Sequence, residues 1–278
     1  AFLIYKLFSG IRYLFRENIE ILPGDWPNMK YPDSEKAFVE PAAVVLAGIE
    51  ERYLACPDCP PEPNLDKTRG CRDLPGKVKR CSSCGRATLD AIMLDALHVL
   101  HDFGLRDERE TLRSVGSPLV VVGYPLAYSP RLGPDSLIIQ GENISREAAQ
   151  AMVQRIPEIR GVILFQGVPG MHKKGTAPLE NALLAGSDLR ADVCQSLFGE
   201  LVIYKSQSKI HIEFSRQSAP KMRIIEQLML QGKASRVVDG LCGPGTLGLM
   251  CALAGAKEVV LNDVWLPAVQ NVLLNLKA

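Results

Sequence analysis

Five cysteines, Cys56, Cys59, Cys71, Cys81 and Cys84, crowd into one short stretch of a 278-residue chain. Four of them form two C-x2-C pairs, Cys56-Pro-Asp-Cys59 and Cys81-Ser-Ser-Cys84, with 21 residues between the pairs. Two intervening residues let each pair span one edge of a tetrahedron while backbone amides point at the sulfurs. Two such pairs make a closed four-thiolate site of the kind that suits structural zinc. Disulfides and an iron–sulfur cluster are the alternatives; disulfides need an oxidising compartment, and no export signal is evident. Cys71 follows a glycine in a loop and reads as a bystander. Cys194, Cys242 and Cys251 sit in apolar surroundings and read as small core residues.

A second group of residues lies between Arg236 and Lys277. A short apolar run ends in Asp239, and the turn Gly240-Leu241-Cys242-Gly243-Pro-Gly245 follows. A helix is expected to start near Thr246, and a second apolar run ends in Asn262-Asp263. This is a strand–turn–helix–strand unit with its polar ends at the carboxyl edge, where parallel sheets bind ligands. Glycines leave the backbone open to close approach, and the helix N-terminus offers free amides and a positive dipole end. Asp263 is placed to accept both ribose hydroxyls of a nucleoside. Gly243, Gly245 and Gly248 also satisfy the dinucleotide pattern G-x-G-x-x-G. Asp239 argues against a pyrophosphate, which it would repel, and for the ammonium group of a methionine moiety. The alternative without a ligand is a tight turn packing helix on strand.

The elements that must position these residues can be read from periodicity and punctuation. A helix is expected over about Ala42–Leu54. Residues 55–86 have too little apolar content to fold without a staple. Leu89, Ile92, Met93, Ala96 and Val99/Leu100 recur at helical spacing after Thr88, with Gly104 as a stop. Strands are expected at Leu119–Gly123, Ser136–Gln140 and Gly161–Gln166, with a Ser145-capped helix to about Arg155. A helix near Pro178–Ala185, a hairpin of Glu200–Tyr204 with Lys209–Phe214, and a helix over Pro220–Gln231 complete the reading. The division that follows is an N-terminal segment 1–54, a four-cysteine zinc-ribbon-like module with its helix 55–116, an α+β domain 117–219 suited to substrate or RNA, and the start of an α/β domain 220–278.

Composition narrows the class. Apolar residues make up 47% and charged residues 23%, as in ordinary globular proteins, and the net charge is +1. Global charge gives no support for nucleic-acid binding, which leaves only a local basic patch. The opening AFLIYKLFSGIRYLFRE is interrupted by Lys6, Arg12 and Arg16, so an amphipathic helix or a strand pair is expected there rather than a membrane span or signal peptide. A cytoplasmic protein is the expectation, and the absence of an initial Met suggests a processed or partial polypeptide.

Asn262-Asp263 followed by Pro267-Ala-Val-Gln-Asn271 and Asn275 resembles the second motif of class I S-adenosylmethionine-dependent methyltransferases. Upstream, Pro157–Leu164, a glycine-and-basic loop, Leu183–Gly186, Phe214-Ser215-Arg216 and Val237-Val-Asp239 follow the order of the tRNA guanine-N1 methyltransferase and wybutosine-pathway family. The asparagine–aspartate pair is also similar to the tRNA guanine-N2 dimethyltransferases. The resemblance covers about residues 117–278. It implies a Rossmann-like α/β methyltransferase fold, here incomplete at the C-terminus, with S-adenosylmethionine at Asp239, Gly240, Leu241, Cys242, Gly243, Gly245, Thr246, Asn262 and Asp263. It also implies an RNA acceptor met by His172, Lys173, Lys174 and Arg216. Arg216 reads more readily as a solvated strand-end residue than as a substrate-positioning arginine, because the family's F-S-x-R element is one residue short here and Pro220 stands where a glutamate is expected. The family's catalytic loop after the fourth strand has no counterpart, so the catalytic residues are unassigned. Two parallel strands cannot bury both faces of a sheet, which calls for further polypeptide or a protein partner. Methylation of a protein or small molecule, and a non-catalytic scaffold with a degenerate half-sheet, are the alternative functions.

Overall fold

The computed structural model describes the backbone of residues 3–8 and 19–21, and residues 37–63, 65–167, 181–210, 220–276 and 278 in full. In chain order it contains β1 (Leu3–Phe8), β2 (Ile19–Ile21), α1 (Ala42–Ala47), β3 (Ala87–Thr88), α2 (Leu89–Asp102), β4 (Ser117–Val120) and β5 (Val122–Gly123). Next come β6 (Arg131–Leu132), β7 (Leu137–Gly141), α3 (Arg146–Arg155), β8 (Ile159–Leu164), β9 (Ala182–Gly186), β10 (Leu189–Ser196) and β11 (Gly199–Ser206). The chain closes with α4 (Pro220–Leu230), β12 (Arg236–Asp239), α5 (Thr246–Leu253), β13 (Glu258–Asp263) and α6 (Leu266–Asn275). This is a mixed α/β chain with several sheets. It divides into two compact units, Gly48–Asp188 and Ala1–Ala47 with Leu189–Ala278. Among the described residues no helix is long and apolar enough to cross a membrane.

The Gly48–Asp188 unit is built on the sheet β4-β7-β8-β9. β7 and β8 are parallel and joined by α3, while β4 and β9 flank them antiparallel. α2 starts where the Thr88 hydroxyl accepts the Ala91 amide at 3.2 Å, and α3 where Ser145 accepts the Ala148 amide at 3.2 Å. Gly104, at φ +68°, turns the chain out of α2. The apolar stripe of α2, with Ile92, Leu94, Leu97 and Leu100 fully buried, joins Leu137, Ile139, Met152 and Val162 in one core. Burying each such side chain contributes about 1.5–3 kcal/mol.

One ion pair ties this core to the cysteine-rich segment. Glu158, 1% exposed, takes Arg80 by two bonds, Nε–Oε1 at 2.7 Å and Nη2–Oε2 at 2.9 Å, and Asp95 adds a third at 3.1 Å. Removing the guanidinium would strand a buried carboxylate. Arg80→Ala is therefore expected to lower stability by about 3 kcal/mol, measured by urea unfolding. A loss below about 1 kcal/mol, the range of an exposed pair, would show that the clamp is not holding buried charge.

In the other unit, β12 and β13 are parallel, with Val238 opposite Val260 and Asp239 opposite Leu261. β1 pairs antiparallel with the far edge of β13, and β2 with β1. The sheet thus gains two strands from the chain's own beginning, which takes the strand-pair form of the two expected there. β10 and β11 form a hairpin in register from Leu189↔Ser206 to Ser196↔Gly199. Val259, Leu261, Leu249, Val269, Val272, Ile203 and Cys194 make up the core. On β12 Val238 is 73% exposed, and on α4 Ile224 and Leu228 are exposed as well.

Several expectations need correction. The Glu200–Tyr204 strand pairs with Leu189–Ser196, a hairpin partner that the sequence reading missed; of the expected partner Lys209–Phe214, Lys209 and Ile210 lie in a turn and residues 211–214 lie outside the described residues. Residues 182–185, expected to lie in a helix, instead belong to β9, which runs against β8. There Gly186 has φ +71° and runs so close to Arg160 that a Cβ would overlap its carbonyl oxygen. That approach favours an extended edge over a helix end. The helix expected over Ala42–Leu54 stops at Ala47.

Candidate functional site

The four paired cysteines converge. Sγ–Sγ distances are 3.6 Å for Cys56–Cys59, Cys56–Cys81 and Cys59–Cys84, and all four sulfurs lie within 4.8 Å of one another. Bonds of about 2.3 Å to a tetrahedral zinc require sulfur separations of about 3.8 Å, so the donor set and its size fit a closed site. Each knuckle closes on its own backbone: the Cys59 amide bonds the Cys56 carbonyl at 3.0 Å, and the Gly85 amide the Cys81 carbonyl at 2.9 Å. The amides of Cys84 and Ser83 draw the Cys81 thiol down to about 6, making it the first thiolate of the set. Burial pushes Cys56 up to about 12. The two-residue β3–β6 bridge and the start of α2 lie directly after the second knuckle. Cys71 is outside the cluster, buried in the apolar core with its amide on the Glu110 carbonyl. None of the eight cysteines is in a disulfide.

The glycine turn forms where the sequence places it. β12 ends at Asp239, and β13 ends at Asn262-Asp263 beside it. Gly243 and Gly245 have φ +53° and +93°, conformations that a side chain strains, and Gly245 leads into α5 with no side-chain cap. A Cβ added at Gly240 or Gly243 would meet nothing within 4 Å, so the space over the turn is open. The turn is tied to the second strand: Gly243 N–H donates to Asp263 Oδ2 at 2.8 Å, Asn262 Nδ2 to the Gly240 carbonyl at 3.0 Å, and Cys242 N–H to the Asn262 carbonyl at 3.0 Å. The other Asp263 oxygen accepts the Trp265 amide at 2.8 Å. Each carboxylate oxygen retains a second lone pair.

Three polar atoms at this edge are buried and have no hydrogen-bond partner among the described residues: Asp239 Oδ2, Thr246 Oγ1 and Asn262 Oδ1. Orphaned buried polar atoms are rare and call for an explanation. Burial raises the Asp239 carboxyl above the usual carboxylate range; the amides of Gly248 and Leu241 oppose that, and the Asp263 carboxylate adds to it. Cys242, buried in the same turn, is pushed up to about 12 by burial and then by the Asp239 and Asp263 carboxylates, which keeps it an unreactive thiol at neutral pH. Leu241 points the other way, at 84% exposure.

No known family, characterised protein or solved structure matches this chain.

Of the residues expected at the cofactor, Asp239, Gly240, Cys242, Gly243, Gly245, Thr246, Asn262 and Asp263 belong to one turn and the two strand ends beneath it. His172, Lys173, Lys174 and Arg216 lie outside the described residues. The roles of Asn271 and Asn275 were not evident from sequence. Asn275 Oδ1 accepts the Tyr204 amide at 2.7 Å, and its Nδ2 donates to the Tyr204 and Pro244 carbonyls at 3.1 and 2.9 Å. Asn271 Oδ1 accepts the Ser206 amide at 2.8 Å. Their spacing of four puts both amides on one face of α6, where they substitute for a strand along β11 and hold the turn by Pro244. That i, i+4 pair of asparagines on a mostly apolar helix was the available signal.

Proposed function

We propose that this chain carries the cofactor-binding part of an S-adenosylmethionine-dependent methyltransferase whose acceptor is RNA, with tRNA guanine as the first choice. The observation that carries the reading is the trio of unsatisfied buried atoms, Asp239 Oδ2, Thr246 Oγ1 and Asn262 Oδ1, around an open glycine turn at the ends of two parallel strands. One carboxylate, one hydroxyl and one amide oxygen can together accept from an ammonium group and from ribose hydroxyls. A carboxylate with one oxygen unsatisfied at the first strand end suits a cationic amino-acid moiety and disfavours a pyrophosphate. Gly240 and Gly243 leave room for the methionine end, and Asp263 can accept ribose hydroxyls on its remaining lone pairs. The bound cofactor would supply an electrophilic methyl group on a sulfonium. The chain's part is then positioning and exclusion of water around the transfer, the main sources of rate in such chemistry. The acceptor rests on the resemblance to tRNA methyltransferases. The four cysteines would hold zinc as a structural staple, and cysteines used for metal and core packing rather than disulfides suit a cytoplasmic protein.

Titration calorimetry with S-adenosylmethionine on the full-length polypeptide tests the reading directly. Saturable heat and a rise in thermal midpoint are expected, since a ligand at a hundred times its Kd stabilises the fold by about 2.7 kcal/mol. Neither signal with adenosylmethionine, while a nicotinamide dinucleotide gives both, would replace methyl transfer with a redox function.

A further inference from the structure

The glycine turn directs its amide donors inward. Cys242 N–H goes to the Asn262 carbonyl, Gly243 N–H to Asp263 and Gly245 N–H to the Cys242 carbonyl at 2.8 Å. Pro244 has no N–H to offer. Asp239 takes the amides of Leu241 and Gly248, and Asn262 Nδ2 donates to the Gly240 carbonyl. A glycine turn that leads from a strand into a helix is the usual cradle for phosphate, because its amides point at the ligand. Here those amides already have acceptors of their own, in the turn or at the strand ends beneath it.

What the edge offers to a ligand is therefore acceptors. Asp239 Oδ2 and Asn262 Oδ1 are buried without partners, and Asp263 keeps lone pairs at the second strand end. The Thr246 hydroxyl can donate or accept. The amides of Thr246 and Leu247, at the start of α5, have no acceptor within the helix. An anion drawn to them would stand against Asp239, which already accepts the next amide along, that of Gly248. Charge runs the same way. Two carboxylates meet at this edge, and Asp263 acts on Asp239 more strongly than Lys221 of α4 opposes it.

We infer that this edge ranks its ligands by positive charge. It grips the ammonium of S-adenosylmethionine, leaves the carboxylate outside the turn, and holds the sulfonium substrate more tightly than the thioether product. This ranking rests on the cofactor reading above. Adenosylmethionine carries one net positive charge at neutral pH, and adenosylhomocysteine carries none. In the transfer the methyl C–S bond breaks, its electron pair stays on sulfur, and the proton displaced from the acceptor passes to solvent. The positive charge thus leaves the edge as the product forms, and with it part of the attraction to Asp239 and Asp263. A unit charge about 8–10 Å from a carboxylate at a partly exposed site changes affinity by about five- to tenfold. The product is then the weaker ligand and does not hold the site against fresh substrate.

Titration calorimetry at pH 8 on the full chain, with three probes, tests this. Adenosylmethionine should bind about five- to tenfold more tightly than adenosylhomocysteine. Decarboxylated adenosylmethionine, which lacks the anionic group, should bind at least as tightly as adenosylmethionine. Asp239→Asn should shrink the preference for adenosylmethionine over adenosylhomocysteine to about twofold. Both ligands lose the bond to the ammonium in that variant, but only one also loses attraction to a sulfonium. Adenosylhomocysteine binding as tightly as adenosylmethionine, or more so, overturns the ranking and leaves the cofactor reading intact. A decarboxylated ligand weakened by about tenfold overturns it as well, since the turn would then be holding the carboxylate. A preference unchanged in Asp239→Asn takes the discrimination away from this edge and overturns it too. A chain that binds none of the three removes the cofactor reading and the ranking together.

Discussion

Asp239→Asn is expected to weaken S-adenosylmethionine binding by about ten- to a hundredfold while making the ligand-free protein more heat-stable. The first effect follows from losing a charge-assisted hydrogen bond to an ammonium group, worth about 1.5–3 kcal/mol. The second follows from the direction in which burial moves this carboxyl. Its folded-state pKa lies above the ordinary carboxylate value. Between the unfolded and folded values the native state binds more protons than the unfolded state, so stability falls as pH rises through that window. Above that window the penalty is fully present, and a neutral amide of the same shape removes most of it. A rise of about 1–3 °C in the ligand-free midpoint is expected, together with loss of the shift that the cofactor produces. The wild-type chain should also bind cofactor more weakly as pH drops through the raised Asp239 pKa, where the carboxyl becomes neutral. Calorimetry and thermal denaturation across pH check all of this. A variant that binds adenosylmethionine as tightly as the wild type would mean that the orphaned oxygen does not face the ligand.

Removing the metal should have the largest effect on folding. Cys81→Ser is expected to reduce bound zinc from about one per chain to near zero and to lower the melting midpoint of the Gly48–Asp188 unit by more than about 10 °C. Metal binding to such sites contributes about 10–16 kcal/mol to folding, more than the net stability of most domains. Cys81 is the most consequential of the four because it is 2% exposed and its amide bonds the Arg86 carbonyl at the base of the knuckle. It also adjoins Arg80, whose clamp on Glu158 joins the module to the core. Atomic absorption and melting with and without a strong chelator would check this. Melting indifferent to the chelator would take the staple away and leave four close thiols without a structural role.

What the sequence disclosed and what it concealed have separable physical causes. Local signals were legible: the Thr88 and Ser145 caps, the C-x2-C spacing, and the glycine turn between two apolar runs ending in acid. Each is set by residues within a few positions of one another. β10 was hidden because its alternation is not apolar-in, polar-out. Arg190, Asp192 and Lys205 are all buried on the hairpin, Asp192 bonding Arg190 and lying 2.9 Å from the Lys205 ammonium. A strand buried on both faces, with one face carrying a cluster of buried charges joined by ion pairs, looks like a polar loop when read one residue at a time. The pairing of β1 with β13 was hidden for another reason, since it joins positions some 250 residues apart and no local pattern encodes such a contact. In the candidate site the identities of Asp239, Thr246 and Asn262 were legible. That their outer atoms are buried yet unpartnered is a property of packing alone.

The bonds that Asp263 makes to Gly243 and Trp265 bear on the entropy of recognition. A glycine-rich turn left to itself samples many conformations, and ordering each residue costs about 1–2 kcal/mol. Here the second strand holds the turn from below through one carboxylate, Asn262 steadies its first glycine, and Asn275 steadies Pro244 from α6. The ordering cost is met when the chain folds rather than when a ligand arrives. A small molecule entering this edge therefore keeps nearly all of the free energy of its contacts, the advantage of a site rigid before it is filled.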